Sequence, residues 1–256
     1  MTPVTRKIRL DQLLVSRGLA ESHAHALALI MAGQVRVDGE VVSKAGTPVA
    51  ADAQVTRGPR QPFVSRGGQK LAGALDAFGI DATGVVALDA GASTGGFTDC
   101  LLQKGAAHVF AADVGHGQLD TRIAGDPRVT VMDRTNVRHL TPANLPQAMD
   151  MVVGDLSFIS LALVLPALAA LVRPGGTLVL LVKPQFEVDR RNVGKGGIVR
   201  DPDTRDAAVD SVIAAARGCG LEFLGRATSP ITGAKGNVEF LIHLRRPADT
   251  NKGDTP

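Results

Sequence analysis

The chain has 256 residues, 45% of them hydrophobic, with 28 Lys and Arg against 25 Asp and Glu. That apolar content can bury one large domain, or a standard domain with a small companion, and excludes a disordered chain. The two cysteines, Cys100 and Cys219, lie far apart, which excludes a disulfide framework or a cysteine zinc site and agrees with a reducing cytoplasm.

The opening residues, MTPVTRKIRLDQLL, carry charge but no apolar segment of the kind a signal peptide needs. The longest apolar stretch, Leu161 to Val172, is interrupted by Pro166 and is too short to span a bilayer. A protein without a membrane segment and without a metal is therefore expected. Charge is uneven: residues 1–70 carry 10 Lys and Arg against 5 Asp and Glu, and the rest carry 18 against 20. Positive charge gathered in one short segment suits an anionic partner, nucleic acid above all. Trp and Tyr are absent and Phe numbers 8, which disfavours a platform that stacks single strands.

In chain order, Arg9 to Val15 reads as a short amphipathic helix closed by Gly18. Ser22 caps a second helix with Ala26, Leu27, Ile30 and Met31 on one face and Gly33 as its stop. Val35-Arg-Val-Asp38-Gly39-Glu-Val-Val then reads as a hairpin around an Asp-Gly turn. Helix, helix and hairpin with basic residues along them resemble the small RNA-binding fold first known from ribosomal small-subunit protein four. The segment RLDQLLVSRGLAESHAHALALIMAGQVRVDGE carries that resemblance nearly end to end. It implies that Arg6, Lys7, Arg9, Arg17, Arg36 and Lys44, with Arg66 beyond, meet RNA. His23 and His25 stand in the second helix, where such domains usually place Lys or Arg.

Domain bounds of 1–60 for this unit, 61–66 for a linker, 67–246 for a larger domain and 247–256 for a polar tail follow from composition. Within the larger domain, strands read at 85–90, 108–113, 129–132, 150–154, 177–182, 221–228 and 238–244, and helices at 68–79, 95–104, 160–172 and 203–217. Continuous apolar strands separated by helices predict an α/β fold: a doubly wound, mostly parallel Rossmann-like sheet with an antiparallel last strand.

After the first of these strands comes LDAGASTGGFTDCLL, where a doubly wound sheet binds its ligands. Gly91, Gly95 and Gly96 do not follow the dinucleotide spacing, Ser93 stands where its second glycine would be, and no Gly-Lys-Ser/Thr marks a P-loop. A glycine loop led by Asp89 and lacking the pyrophosphate fingerprint resembles that of S-adenosylmethionine-dependent methyltransferases. There Gly91, Ser93, Thr94, Gly95 and Gly96 approach the amino-acid end of the cofactor and Asp89 faces its ammonium. Asp113 accepts from the ribose hydroxyls, and Asp133 approaches the adenine. The loop alone leaves a nicotinamide enzyme open.

Two further strands end in Gly154-Asp155-Leu-Ser-Phe and in Lys183-Pro-Gln-Phe-Glu, so Asp155 and Lys183 belong at the same sheet edge. A lysine closing an apolar run is expensive to bury. No Pro-Pro-aromatic motif follows Asp155, neither cysteine sits at a strand end, and no aromatic pair is evident to clamp a flipped base. Methylation of an oxygen remains, and a hydroxyl nucleophile needs a general base.

FVSRGGQK ending in Lys70, the glycine loop, GDLSF, LVKPQFE and GNVEF together resemble the TlyA (hemolysin A) family over residues 8–246. These are FtsJ-type ribose 2′-O-methyltransferases with a fused RNA-binding domain. The resemblance implies a catalytic tetrad of Lys70, Asp155, Lys183 and Glu239, with Lys183 as the base. S-adenosylmethionine is then the cofactor, also touched by Asp155, and cytidines of 16S or 23S rRNA in isolated RNA or ribosomal subunits are the substrate. A cytoplasmic, monomeric enzyme is expected. A haemolytic pore-former, as the family's older name suggests, and a catalytically inert RNA-binding protein are the alternatives. Family linkers often carry a tryptophan where this chain has Gln61-Pro62-Phe63.

Overall fold

A computed structural model describes residues 7–31, 33–44, 46–58 and 62–249. Arg6, and the tail from residue 250 onward, lie outside the described residues. The chain divides between residues 61 and 62 into two compact units.

In the first unit, strand β1 (Lys7–Arg9) leads into helices α1 (Leu10–Ser16) and α2 (His23–Met31), followed by strands β2 (Val35–Val37), β3 (Glu40–Val41), β4 (Pro48–Ala50) and β5 (Val55–Arg57). β2 lies between β3 and β5, and β1 pairs with β4, all antiparallel. Leu10, Leu14, Ile30 and Val35 are completely buried in the core of this unit. The Ser22 hydroxyl accepts the His25 amide at 3.1 Å and so caps α2. Asp38 and Gly39 have φ of 51° and 88°, the left-handed pair that a two-residue hairpin turn demands. The buried face of α2 differs from the sequence reading: Leu29 is buried and Met31 is 75% exposed. The helix ends at Met31, so the last residue of the pattern has no packing surface ahead of it. Strands β1, β4 and β5 have three residues each, too few for an alternation to register in the sequence.

The second unit contains α3 (Gly67–Phe78), β6 (Val86–Ala90), α4 (Gly96–Gln103), β7 (His108–Ala112), α5 (Thr121–Ala124), β8 (Val129–Met132), β9 (Met149–Gly154), α6 (Leu165–Leu171), β10 (Val172–Val182), α7 (Pro184–Glu187), α8 (Pro202–Gly218), β11 (Glu222–Thr228) and β12 (Phe240–Arg245). Its seven-stranded sheet has the order β11-β12-β10-β9-β6-β7-β8. β8, β7, β6, β9 and β10 run parallel, and β12 is antiparallel to both of its neighbours.

Successive residues of β10 serve opposite faces. Val179 and Leu181 pack with Leu71, Leu75 and Leu101 of α3 and α4, while Leu178 and Leu180 pack with Leu165, Leu168 and Val212 of α6 and α8. All ten of these side chains are buried at 0 or 1% exposure, and each contributes roughly 1.5–3 kcal/mol over an exposed one. A strand covered on both faces has no polar phase, which is why the run reads as uninterrupted apolar sequence.

This topology also gathers the chemistry. The carboxyl ends of the five parallel strands share one edge, and the pairing of Val182 with Phe240 brings the amino end of β12 to the same edge. Residues 91–96, Asp113, Asp133, Asp155, Lys183 and Glu239 all follow or precede strands there. The linker expected at 61–66 differs from Pro62 onward, which belongs to the second unit. Val64 donates its amide to Asp99 at 2.7 Å, Gln103 donates to the Pro62 carbonyl at 2.9 Å, and Phe63 lies over Gly68. Phe63 thereby takes an apolar place against α3.

Candidate active site

The glycine loop is built from backbone. Gly91 has φ of 84° and donates its amide to the Ala112 carbonyl at 2.8 Å. A Cβ at Gly91 would lie 3.0 Å from the Asp155 carbonyl oxygen, so only glycine permits this close approach between neighbouring strand ends. Gly95, with φ of 92°, turns the chain into α4. Asp113 ties the loop to the next strand: one carboxylate oxygen accepts the Ser93 amide at 2.9 Å and the other accepts the Gly115 amide at 2.7 Å. One oxygen of Asp133 accepts the Gly117 amide at 2.9 Å and lies 2.7 Å from His116 Nδ1. The Gly117 amide above all, with His116, holds this carboxyl below its ordinary range. Asp89 is completely buried in β6 under the loop, with Oδ2 accepting the Thr98 hydroxyl at 2.6 Å and Oδ1 unpartnered. Burial pushes its carboxyl up to about 7.

Beside the loop lies a cavity of about 170 Å³, lined by Gly91, Ser93, Thr94 and Gly96 on one side and by Asp155 and Lys183 on the other. Lys183 is the sole cation among its lining residues. Such a lining suits an amino acid or a sulfonium better than a pyrophosphate, which would call for several donors or cations.

The other half of the site is built from charged side chains. Lys70 comes from α3, Asp155 follows β9, Lys183 follows β10, and Glu239 precedes β12. Lys70, Lys183 and Glu239 are 8, 9 and 2% exposed. The Lys70 ammonium donates to Glu239 at 2.5 Å and lies 3.8 Å from Asp155 Oδ2. Lys183 Nζ lies 2.6 Å from Asp155 Oδ1, outside the angles of a hydrogen bond, and donates to the Ser157 hydroxyl at 2.7 Å. The four groups thus form a chain of alternating sign, Glu239–Lys70–Asp155–Lys183, in which each buried charge has an opposite neighbour. Glu239 is seated against Gly233, where any side chain would displace its carboxylate.

Residues 63–246 match the FtsJ-like methyltransferase family, and residues 8–55 match the S4 domain. A protein of Mycobacterium tuberculosis named 16S/23S rRNA (cytidine-2′-O)-methyltransferase TlyA is 49% identical over 96% of this chain and 92% of its own length. Hemolysin A of Brachyspira hyodysenteriae is 38% identical over 93% of this chain and 99% of its own. A solved chain from Streptococcus thermophilus, described as a candidate hemolysin, superposes with a TM-score of 0.75 at 40% identity, covering 99% of this chain and 93% of that one.

The chain belongs to the TlyA family of FtsJ-like methyltransferases.

As a TlyA-family enzyme it uses S-adenosylmethionine as methyl donor. The site fits that donor through its glycine cradle, the cation-poor lining of the cavity, and the orphaned carboxylate oxygen of Asp89 just beneath. Among the described residues no group of three His, Cys, Asp or Glu gathers as a metal site, and no helix is long and apolar enough to cross a membrane.

The basic residues named from the sequence fall into different settings. Lys7, Lys44 and Arg66 are exposed. Arg9 forks onto the buried Asp11 at 2.7 and 3.1 Å, so part of its charge is already answered within the unit. Arg17 donates to the Ala51 and Ala53 carbonyls, both at 2.7 Å, and Arg36 donates to Gly39 at 2.9 Å. His23 Nε2 lies 3.5 Å from Asp11, and His25 Nδ1 lies near the Glu21 amide and carboxylate. Both histidines therefore have an acidic neighbour close at hand.

Sequence reasoning passed over four residues at the site. Ser157 binds Lys183, and Glu187 holds the loop that carries Ser157. Phe158 is 91% exposed with φ of 64°, its ring 5.2 Å from that of Phe186, which lies 5.9 Å from Lys183 Nζ. The two rings contact each other; the sequence reading weighed aromatic residues only as a clamp for a flipped base and did not place this pair here. A non-glycine residue held in the left-handed region with its ring in solvent is strained, and strain of that kind gathers at functional sites. The letters were visible in GDLSF and LVKPQFE; their meeting depends on β9 and β10 being neighbours.

Proposed function

We propose that the enzyme methylates the 2′-oxygen of a cytidine ribose in 16S or 23S rRNA, with Lys183 as general base. The observation that carries this reading is the buried chain of alternating charge ending in Lys183 at the mouth of the glycine-loop cavity. The relative from M. tuberculosis, similar over nearly the whole chain, bears the corresponding activity in its name.

When bound, S-adenosylmethionine supplies a methyl group already activated on a sulfonium. Gly91, Ser93, Thr94, Gly95 and Gly96 would hold its amino-acid end, Asp113 would accept from its ribose hydroxyls, and Asp133 would serve the adenine. Asp89 supports the loop from beneath. Lys183 Nζ, in its neutral form, takes the proton of the attacking hydroxyl. Asp155 and Ser157 fix that nitrogen, and Lys70 with Glu239 fixes Asp155 in turn. General-base assistance of this kind is worth about 10²- to 10⁴-fold in rate, and alignment of the oxygen supplies further acceleration. Phe158 offers a face on which the target base or its neighbour can stack.

The first unit, residues 1–60, grips phosphates through Lys7, Arg9 and Lys44, with Arg6, Arg17 and Arg36 adding field, while Arg66 offers a further cation on the second unit. All four tetrad residues come from one chain, so a monomer in the cytoplasm suffices. The test is methylation of isolated 16S and 23S rRNA and of ribosomal subunits, followed by mapping of the modified nucleoside. A 2′-O-methylcytidine is expected. Methyl on a base, or no transfer to any of these RNAs, would overturn the proposal.

A further inference from the structure

The motif LVKPQFE carries a second ionisable residue, four positions after Lys183, that the chemistry above leaves unused. Glu187 closes the single-turn helix α7 that Lys183 opens. Its carboxylate is turned inward: Oε2 accepts the Ser160 hydroxyl at 2.6 Å and Oε1 accepts the Leu161 amide at 3.0 Å. Burial raises its carboxyl above the ordinary range, against the pull of those two hydrogen bonds. An acid is kept in such a place only where its acceptors are needed.

Both partners lie in the segment that follows β9, and the same segment begins with Asp155 and Ser157. Lys183 therefore holds the front of residues 155–161, at 2.6 Å to Asp155 and 2.7 Å to Ser157, while Glu187 holds the back. Between the two anchors Phe158 stands strained and exposed, resting on Phe186 of the same short helix. The Ser160 hydroxyl is shared, since it also accepts the Ala162 amide at 3.2 Å and fixes the turn that follows.

We infer that Glu187 is a positioning residue for methyl transfer, the rear anchor of a two-point clamp by which α7 sets residues 155–161 against Lys183. The inference rests on the assignment of Lys183 as base. Released at Ser160 and Leu161, the loop keeps its ion pair but loses the rigidity that presents Asp155, Ser157 and the Phe158 ring at fixed distances. Small displacements of reacting groups are costly: a misplacement near 1 Å can lower a rate about 100-fold.

The experiment compares Glu187→Ala, Glu187→Gln and Ser160→Ala with wild type and with Lys183→Ala, using full-length protein, S-adenosylmethionine and the mapped rRNA. Readouts are kcat, KM for RNA, cofactor Kd and Tm. Glu187→Ala should lower kcat by about 10-fold or more and raise the RNA KM, with cofactor Kd within about twofold. Glu187→Gln, which keeps one acceptor for Leu161 and can donate to the Ser160 oxygen, should recover kcat to within about threefold of wild type. Ser160→Ala removes one anchor bond with little change in volume and should fall between them, which decides the matter even if Glu187→Ala fails to fold. An inactive Lys183→Ala beside a Glu187→Ala and a Ser160→Ala both within about twofold of wild type would overturn the clamp alone. A cofactor Kd that weakens in step with kcat would equally overturn it, by showing a collapsed site. An active Lys183→Ala would instead overturn the base assignment on which it stands.

Discussion

The two halves of the cleft solve opposite problems. The glycine-loop half is made from main chain: glycines at positive φ, amides locked by Asp113 and Asp133, and a cavity wall nearly free of charge. The lysine half is made from four ionisable side chains on four separate elements, three of them at or below 9% exposure. A cofactor that must enter and leave is held by shape and by dipoles that need no reorganisation. A proton that must be moved is handled by charges whose burial is tolerable only because each has a partner. Damage to the first half should therefore appear in binding, and damage to the second in rate and in stability.

The largest expected effect is on rate. Lys183→Ala should reduce kcat by at least about 100-fold while cofactor Kd changes less than about twofold, measured by single-turnover methylation and calorimetry. A matching loss of cofactor affinity would erase the distinction between the halves. Next comes stability: Glu239→Ala leaves Lys70 buried with only the more distant Asp155, and should cost about 3–5 kcal/mol in denaturant unfolding. Glu239→Gln, which keeps an acceptor, should cost less.

Asp89 sharpens the comparison from beneath the loop, because it is a buried acid without a cation. Its carboxyl is raised by burial to about 7, so its contribution to folding is fully present below the ordinary carboxylate range near 3.9 and is lost as pH rises through 7. The raised value amounts to about 4 kcal/mol across that window. Asp89→Asn should flatten this part of the profile, gaining stability relative to wild type at pH 8 and little at pH 4. Parallel profiles would remove Asp89 as a strained acid. The smallest effect is Asp113→Ala, which orphans the Ser93 and Gly115 amides and should weaken cofactor binding by about 1–3 kcal/mol with kcat at saturation nearly unchanged.

Legibility in the sequence followed the same division. The glycine loop is contiguous, and its position after a strand and before a helix makes it readable from a dozen residues. The strand runs in the second unit stood out because both faces of the sheet are covered, so apolar residues run without interruption through Val152 and Val179. The lysine half spans positions 70 to 239; strand ends placed Asp155 and Lys183 together, while Lys70 and Glu239 became visible only through resemblance to a family. The physical reason for its assembly, β12 running antiparallel so that Glu239 arrives at the carboxyl edge beside Lys183, is a matter of sheet order. Glu187 escaped notice because a charged residue after a strand reads as surface, and its partners lie across a neighbouring strand end. Phe158 escaped because a scarcity of aromatic residues was weighed over the whole chain and not at one loop. In the first unit, Arg17 and Arg36 read as phosphate ligands, although their guanidinium groups also serve local carbonyls.

The most direct test of the account is the acceptor atom. Once the modified nucleotide is mapped, an otherwise identical RNA carrying 2′-deoxyribose at that single position should bind with similar affinity and take up no methyl group. Blocking the base-ring positions of the same nucleotide should leave transfer intact. Methyl transfer to the deoxy substrate, or a methyl group recovered on a base nitrogen or carbon, would contradict both the ribose chemistry and the role given to Lys183.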